Sequence, residues 1–289
     1  MVVVVWGEQV ITDASFGDYH LHIERDTSWM GTGNAKVRLL HQSRQVYSAD
    51  EGAIPQLRIW KGNELVTPDD AFYCEGKDAA PYTVFDDTVE IARDITGDGV
   101  PELLLTEEPA AGGNSENTLW TVFSLAPLER VTGELSGDAD GGKWGYLPGQ
   151  RLPVFDTVEG WNFLDINKCS FRCISTRVLL RYRDGAFRIA EEMRKAKPSE
   201  GDLAAMAQGM QGFQGDCPGG ELPNQMLDLM FRGNEASAFR LYDQAWPGDS
   251  PLKRDFRSAF ITAVQEIESC RDLVHDGLLG GEPVKCKLH

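Results

Sequence analysis

The sequence is short of most features that fix a function at sight. No stretch of its 289 residues approaches the ~20 consecutive apolar residues of a membrane-spanning helix, so no membrane span is expected. The apolar opening MVVVVW is too short for a span or a secretory signal. The six cysteines include no CxxC pair, which removes the common zinc-ribbon and thioredoxin-type spacings. There are five histidines, and neither a GxSxG elbow nor a Ser–His–Asp order can be read around them. The Gly-rich GTGNAK at residues 31–36 lacks the rest of a P-loop and precedes a strand pattern, so it reads as a turn. Positive charge is scarce: 28 Lys and Arg face 45 Asp and Glu, a formal net charge of -17. Such a surface repels phosphate backbones and anionic bilayers, and nucleic acid is not an expected partner.

What is present describes a water-facing globular protein. A hydrophobic fraction of 42% is enough for a real core at this length. The acid surplus serves either plain solubility or the collection of divalent cations. Up to about residue 190 the chain reads as short runs, many of them alternating, including DYHLHIER, AKVRLLHQ, TLWTVFSL and RVLLRYRDGAFRIA. In the last of these, Asp184-Gly185 supplies the turn of a tight hairpin.

From residue 191 the period becomes helical. Ser199, with Asp202 three residues on, caps a helix through PSEGDLAAMAQGM. Pro223 and Gly233 bracket a second. Asn234 starts a third, whose Phe239, Tyr242 and Trp246 share a side. Ser250 and Pro251 open a fourth, with Phe256, Phe260, Val264 and Ile267 in one stripe. These stripes either pack a core or border a ligand groove. The expected fold class is α+β: an antiparallel β-rich domain over 1–190, then a helical region over 191–289.

The segment DITGDGVPELLL, residues 94–105, is the densest in chemistry. Counted from Asp94, oxygen donors stand at positions one, three, five and nine: Asp94, Thr96, Asp98 and Glu102, with the Val100 carbonyl at seven. Alternate oxygens on a tight loop suit a hard cation that takes six to eight of them, such as Ca2+. Gly99 permits the reversal. An EF-hand is excluded, because Leu105 occupies the twelfth position and the flanks read as strands. The other reading is a metal-free turn held by side-chain-to-backbone hydrogen bonds.

This D-x-T-x-D-G-x-x-E spacing between strands resembles the calcium loop of FG-GAP repeats, the blades of integrin-type β-propellers. The resemblance implies propeller-blade-like hairpins and a Ca2+ held by Asp94, Thr96, Asp98, Val100 and Glu102. The order of the loop, the RVLLRYRDGAFRIAEEM hairpin and the LMFRGNEASAFRLYDQAWP helices is similar to a group of bacterial exported proteins with an FG-GAP or VCBS-like segment. That similarity spans about residues 80–265 and brings no established activity. It implies an extracytoplasmic location, with any targeting peptide outside this chain. The group carries Gly-Gly-Ala-His-Cys-Cys where this chain has AGGNSENTL, so no His or Cys role transfers.

A worn second copy of the loop begins at Asp165, with Asn167 at its third position and Cys169 and Cys173 at its fifth and ninth. Three readings stay open: a Cys169–Cys173 disulfide fastening the bend, a Zn2+ site with the Asp, or two independent buried thiols. Elsewhere, YHLHIE puts His20, His22 and Glu24 on one face of a strand, a credible transition-metal set able to activate water. The leading expectation is a non-catalytic, calcium-binding β-rich module acting in protein–protein interaction or as an accessory subunit. The alternative is a metal-dependent hydrolase using His20, His22 and Glu24.

Overall fold

The structure, a computed structural model, describes residues 8–26, 35–51, 54–57, 60–61, 64–65, 89–90, 92–108, 118–131, 135–137, 142–166, 169–210, 217–267, 269–274 and 277–287. MVVVVW, most of GTGNAK and Asn167 lie outside them. The chain is mixed α+β, with strands in its N-terminal part and helices in its C-terminal part. Among the described residues no closed propeller forms.

Two compact units emerge. The first holds the described residues up to Phe155 together with Tyr182–Phe187, and the second holds Asp156–Arg181 and the described residues from Arg188 onward. The expected boundary at residue 190 therefore does not coincide with the compact units. Periodicity does change there, but the strand residues 156–181 pack against the helices that follow.

The first unit opens with a meander of β1 (Glu8–Phe16), β2 (Tyr19–Asp26), β3 (Ala35–His41) and β4 (Arg44–Glu51), paired in that order. A second sheet pairs β5 (Ile54–Leu57), β6 (Glu102–Glu108) and β7 (Thr118–Leu125), with Ala92–Arg93 also beside β6. Strand alternation then decides which side chains meet. Leu21 and Ile23 of β2 and Val37 and Leu39 of β3 face Leu103 and Leu105 of β6 and Phe123 and Leu125 of β7, forming one buried cluster. Each such side chain contributes about 1.5–3 kcal/mol on burial. The Tyr19 hydroxyl adds a hydrogen bond to the Leu125 carbonyl, 2.7 Å away. His20, His22 and Glu24 are consequently turned to the opposite face of β2.

On the other face of β6 and β7, Trp120 meets Trp144 and Phe155 edge-on, with centroids 6.5 and 5.7 Å away. Ala at Gly142 would place its Cβ 2.3 Å from the Phe155 ring.

The second unit begins with the long strands β8 (Val154–Ile166) and β9 (Cys169–Arg183), of which residues 156–181 belong to it. Helices α1 (Glu200–Gly209), α2 (Leu222–Phe231), α3 (Glu235–Ala245), α4 (Pro251–Val264) and α5 (Cys270–Leu273) follow. The cap at α1 is as expected: Ser199 Oγ accepts from the Asp202 amide, and the Asp202 carboxylate accepts from the Ser199 amide and hydroxyl. Asn234 stands at the start of α3, but its side chain does not cap the helix; it donates to the Lys195 and Arg232 carbonyls instead.

The aromatic stripes form core rather than a groove. Phe256 has no solvent exposure and stacks on Tyr242 and Phe260, with centroids 5.6 and 6.0 Å away. Phe171 of β9 meets Phe256 edge-on at 5.3 Å, and Trp161 of β8 meets Phe260 at 5.7 Å. These contacts bind the strand residues to the helices.

Among the described residues, the disulfides Cys169–Cys217 and Cys270–Cys286 close this unit. The expected Cys169–Cys173 bridge is thereby corrected. Both residues lie in β9, where four extended residues span about 13 Å, whereas a disulfide requires its Cα atoms within about 7 Å. Cys169 and Cys217 stand 5.6 Å apart. The Zn2+ reading of that pair falls with it, since Cys169 has no free thiolate. The supposed second loop also differs from the first, because Cys169 is already in a strand whereas Asp98 is not.

Candidate metal sites

The loop from Asp94 to Pro101 closes a small hairpin, because Ala92–Arg93 pairs antiparallel with β6 in the register Arg93 to Glu102 and Ala92 to Leu103. Its chain reverses through Gly97 and Gly99, both at φ +86. A Cβ on Gly99 would meet nothing within 4 Å, so the backbone angle, not crowding, demands glycine there. At Gly97 a Cβ would also come within 3.0 Å of Leu152.

Side chains tie the loop down. Asp94 accepts from the Gly97 amide at 2.6 Å and the Gly99 amide at 3.1 Å through its two oxygens. Asp98 accepts from the Val100 amide at 2.7 Å. Glu102 has no solvent exposure, and its Oε2 accepts from the Ile95 and Thr96 amides at 2.6 and 3.1 Å. The Thr96 hydroxyl donates to its Oε1 at 3.2 Å. Burial, and to a lesser degree the nearby Asp98 charge, push the Glu102 pKa up to about 7 against the pull of those hydrogen bonds.

The predicted donors are thus gathered on one loop but not drawn to one point. Among the described residues, the set of three metal-binding side chains whose ligand atoms all lie within 4.8 Å of one another is Asp13, His20 and His22. The donor chemistry of the loop still fits a hard ion. It offers three carboxylates, a hydroxyl and a main-chain carbonyl, and each carboxylate oxygen has more than one lone pair, so a hydrogen-bonded oxygen can also coordinate.

The second cluster lies on the outer face of the β1–β2 hairpin. His20 Nε2 is 2.6 Å from Asp13 Oδ1, and His22 Nδ1 is 3.9 Å from the same oxygen. His20 Nδ1 is 2.9 Å from Ser15 Oγ, and His22 Nε2 is 2.6 Å from Glu24 Oε1. Glu24 also pairs with Arg38 of β3. One member of the expected set is therefore exchanged: Glu24 holds His22 from the side away from Asp13, and the carboxylate between the two rings is Asp13.

Compared with family models, curated proteins and solved structures, the chain matches none.

A reading confined to one strand misses Asp13 and Ser15, although their signal is in the sequence. In DASFGDYHLH, Gly17-Asp18 forms a two-residue turn that pairs Phe16 with Tyr19. Counting back along both arms then sets Ser15 opposite His20 and Asp13 opposite His22. A register shift between Val10 and Thr12 breaks the pairing only beyond these residues.

Proposed function

We propose that the chain is a calcium-binding, non-catalytic β-rich module that acts through contact with another protein, as an accessory or structural subunit outside the cytoplasm. The observation that carries this reading is Glu102, a fully buried carboxylate at the base of a loop that also presents Asp94, Thr96, Asp98 and the Val100 carbonyl. A divalent cation stabilises the ionised form of such a group where burial opposes it. The pairing of Ala92–Arg93 with β6 agrees with a blade-like hairpin of the FG-GAP kind around the ion. When bound, Ca2+ supplies a central charge that holds the acidic side chains together, and the protein's part is to present oxygens on a loop already shaped by Gly97 and Gly99. The Cys169–Cys217 and Cys270–Cys286 disulfides favour an oxidising compartment.

Thermal unfolding of the full chain with and without Ca2+ tests the proposal. At about a hundred times Kd, a site present only in the folded state adds roughly 2.7 kcal/mol. The Asp98→Ala variant should unfold at a temperature independent of Ca2+. An unchanged Ca2+ response in that variant, or none in the parent, would overturn the assignment. Retention of a partner from the native source in Ca2+, and its release by chelator, tests the contact role.

A further inference from the structure

We infer that Asp13, His20 and His22 form a binding site for a divalent first-row transition ion of the Zn2+ class, independent of the calcium loop. Two imidazoles and a carboxylate are the donors such ions prefer, whereas Ca2+ takes oxygen alone. The site is built by the hairpin. Asp13 and Ser15 share one face of β1, His20, His22 and Glu24 share the same face of β2, and direct pairing of Asp13 with His22 and Ser15 with His20 brings them together. Leu21 and Ile23, fully buried between the histidines and beyond, anchor β2 from beneath.

The outer contacts orient each ring. Ser15 Oγ takes the Nδ1 side of His20, and Glu24, itself held by Arg38, takes the Nε2 side of His22. With a proton on each of those nitrogens, the opposite nitrogens, His20 Nε2 and His22 Nδ1, present lone pairs toward Asp13 Oδ1. Three electron-rich atoms then converge on one point, an arrangement that a cation stabilises. A carboxylate or hydroxyl behind a histidine, fixing its tautomer, is the usual support of a metal ligand.

The distances suit the ion after a small adjustment. Metal bonds of ~2.0 Å at tetrahedral angles put neighbouring ligand atoms about 3.3 Å apart. The observed 2.6 and 3.9 Å from Asp13 Oδ1 to the two rings bracket that value, and rotation of the Asp13 carboxylate equalises them. The Asp13 side chain is 55% exposed and that of His20 41%, so the carboxylate is free to turn and the fourth coordination position opens to solvent.

Titration of the metal-free full chain with Zn2+, followed by calorimetry, and with Co2+, followed by its visible spectrum, tests the site. One equivalent should bind, with Co2+ bands of nitrogen and oxygen ligation and no thiolate charge-transfer band. Asp13→Ala and His22→Ala should each weaken binding by more than about tenfold, and Glu24→Gln by about 10–100-fold, as expected for a group that positions a ligand. His41→Gln should leave it unchanged. The substituted Asp13, His20, His22 and Glu24 lie on the outer face of the sheet, whereas His41 stacks on Tyr19 on the other face, away from the site, and circular dichroism confirms that the variants fold. Absence of binding in the parent would mean a proton-bridged surface cluster only. Undiminished binding in a His20→Ala/His22→Ala double variant, or a thiolate band, would place the ion elsewhere; each result overturns the inference.

Discussion

Glu159 on β8 accepts hydrogen bonds from both the backbone amide and the hydroxyl of Ser269, 110 positions further along the chain. Ser269 immediately precedes α5, so this buried carboxylate fixes where the last helix begins. Hydrogen bonds to a charged group contribute about 1.5–3 kcal/mol, and removing one partner leaves the other unsatisfied. Glu159→Ala should therefore lower unfolding stability by about 2–3 kcal/mol in urea titrations, and Glu159→Gln by less, because the amide keeps one acceptor. Equal stability of the alanine variant and the parent would refute the assignment.

Gly160, beside it, is required for a different reason. A Cβ there would lie 1.9 Å from the Ile174 carbonyl oxygen and 2.6 Å from the Ser175 Cα, both backbone atoms of β9. Neither can swing away as a side chain would, so β8 and β9 must separate. Gly160→Ala is expected to destabilise by about 3 kcal/mol or more, at or above the upper end of ordinary overpacking. A melting temperature within a degree of the parent would contradict this close approach.

The pH dependence should carry the mark of Glu102. Its carboxyl is raised from 4.5 to about 7 in the folded protein, so between those values the folded state holds a proton that the unfolded chain has released. Stability contributed by this group is complete below pH 4.5 and is lost as pH rises through about 7. In calcium-free buffer, Glu102→Gln should flatten the stability profile across that window. A profile identical to the parent's would show that Glu102 ionises without penalty.

The Cys270–Cys286 bridge closes a short C-terminal loop with a sequence separation of 16. Chain-entropy reasoning gives a loop of this size about 3 kcal/mol. A Cys270→Ser/Cys286→Ser variant should lose roughly that amount, with Leu279 and Val284, both buried in the native protein, becoming open to hydrogen exchange. Protection factors in this segment equal to the parent's would argue that packing alone retains it.

Local features of the sequence were legible wherever the physics is local. The Ser199–Asp202 box and the Asp184-Gly185 turn, with φ of +54 and +81, depend on neighbours a few residues away and appear where the pattern puts them. The stripes of α3 and α4 were equally clear, although only packing shows that Phe171 and Trp161, far away in sequence, complete their core. Asn234 has the right position and a different task, since the Lys195 carbonyl it reaches is 39 residues distant. The Cys169–Cys217 pairing spans 48 positions and leaves no local trace. At the metal candidates the same division holds. The five donors of the 94–102 loop could be counted directly, but the inward turn of Glu102 follows from burial. The partner of His20 and His22 required two strands to be set side by side.

The interleaving of residues 156–181 and 182–187 between the two units restricts how this protein can be dissected or reused. Neither unit is one uninterrupted length of polypeptide, so no single cut in the gene liberates either intact. A fragment from 191 to 289 would leave behind the β8 and β9 residues that shelter Phe256 and Phe260, and would be expected to aggregate instead of standing alone.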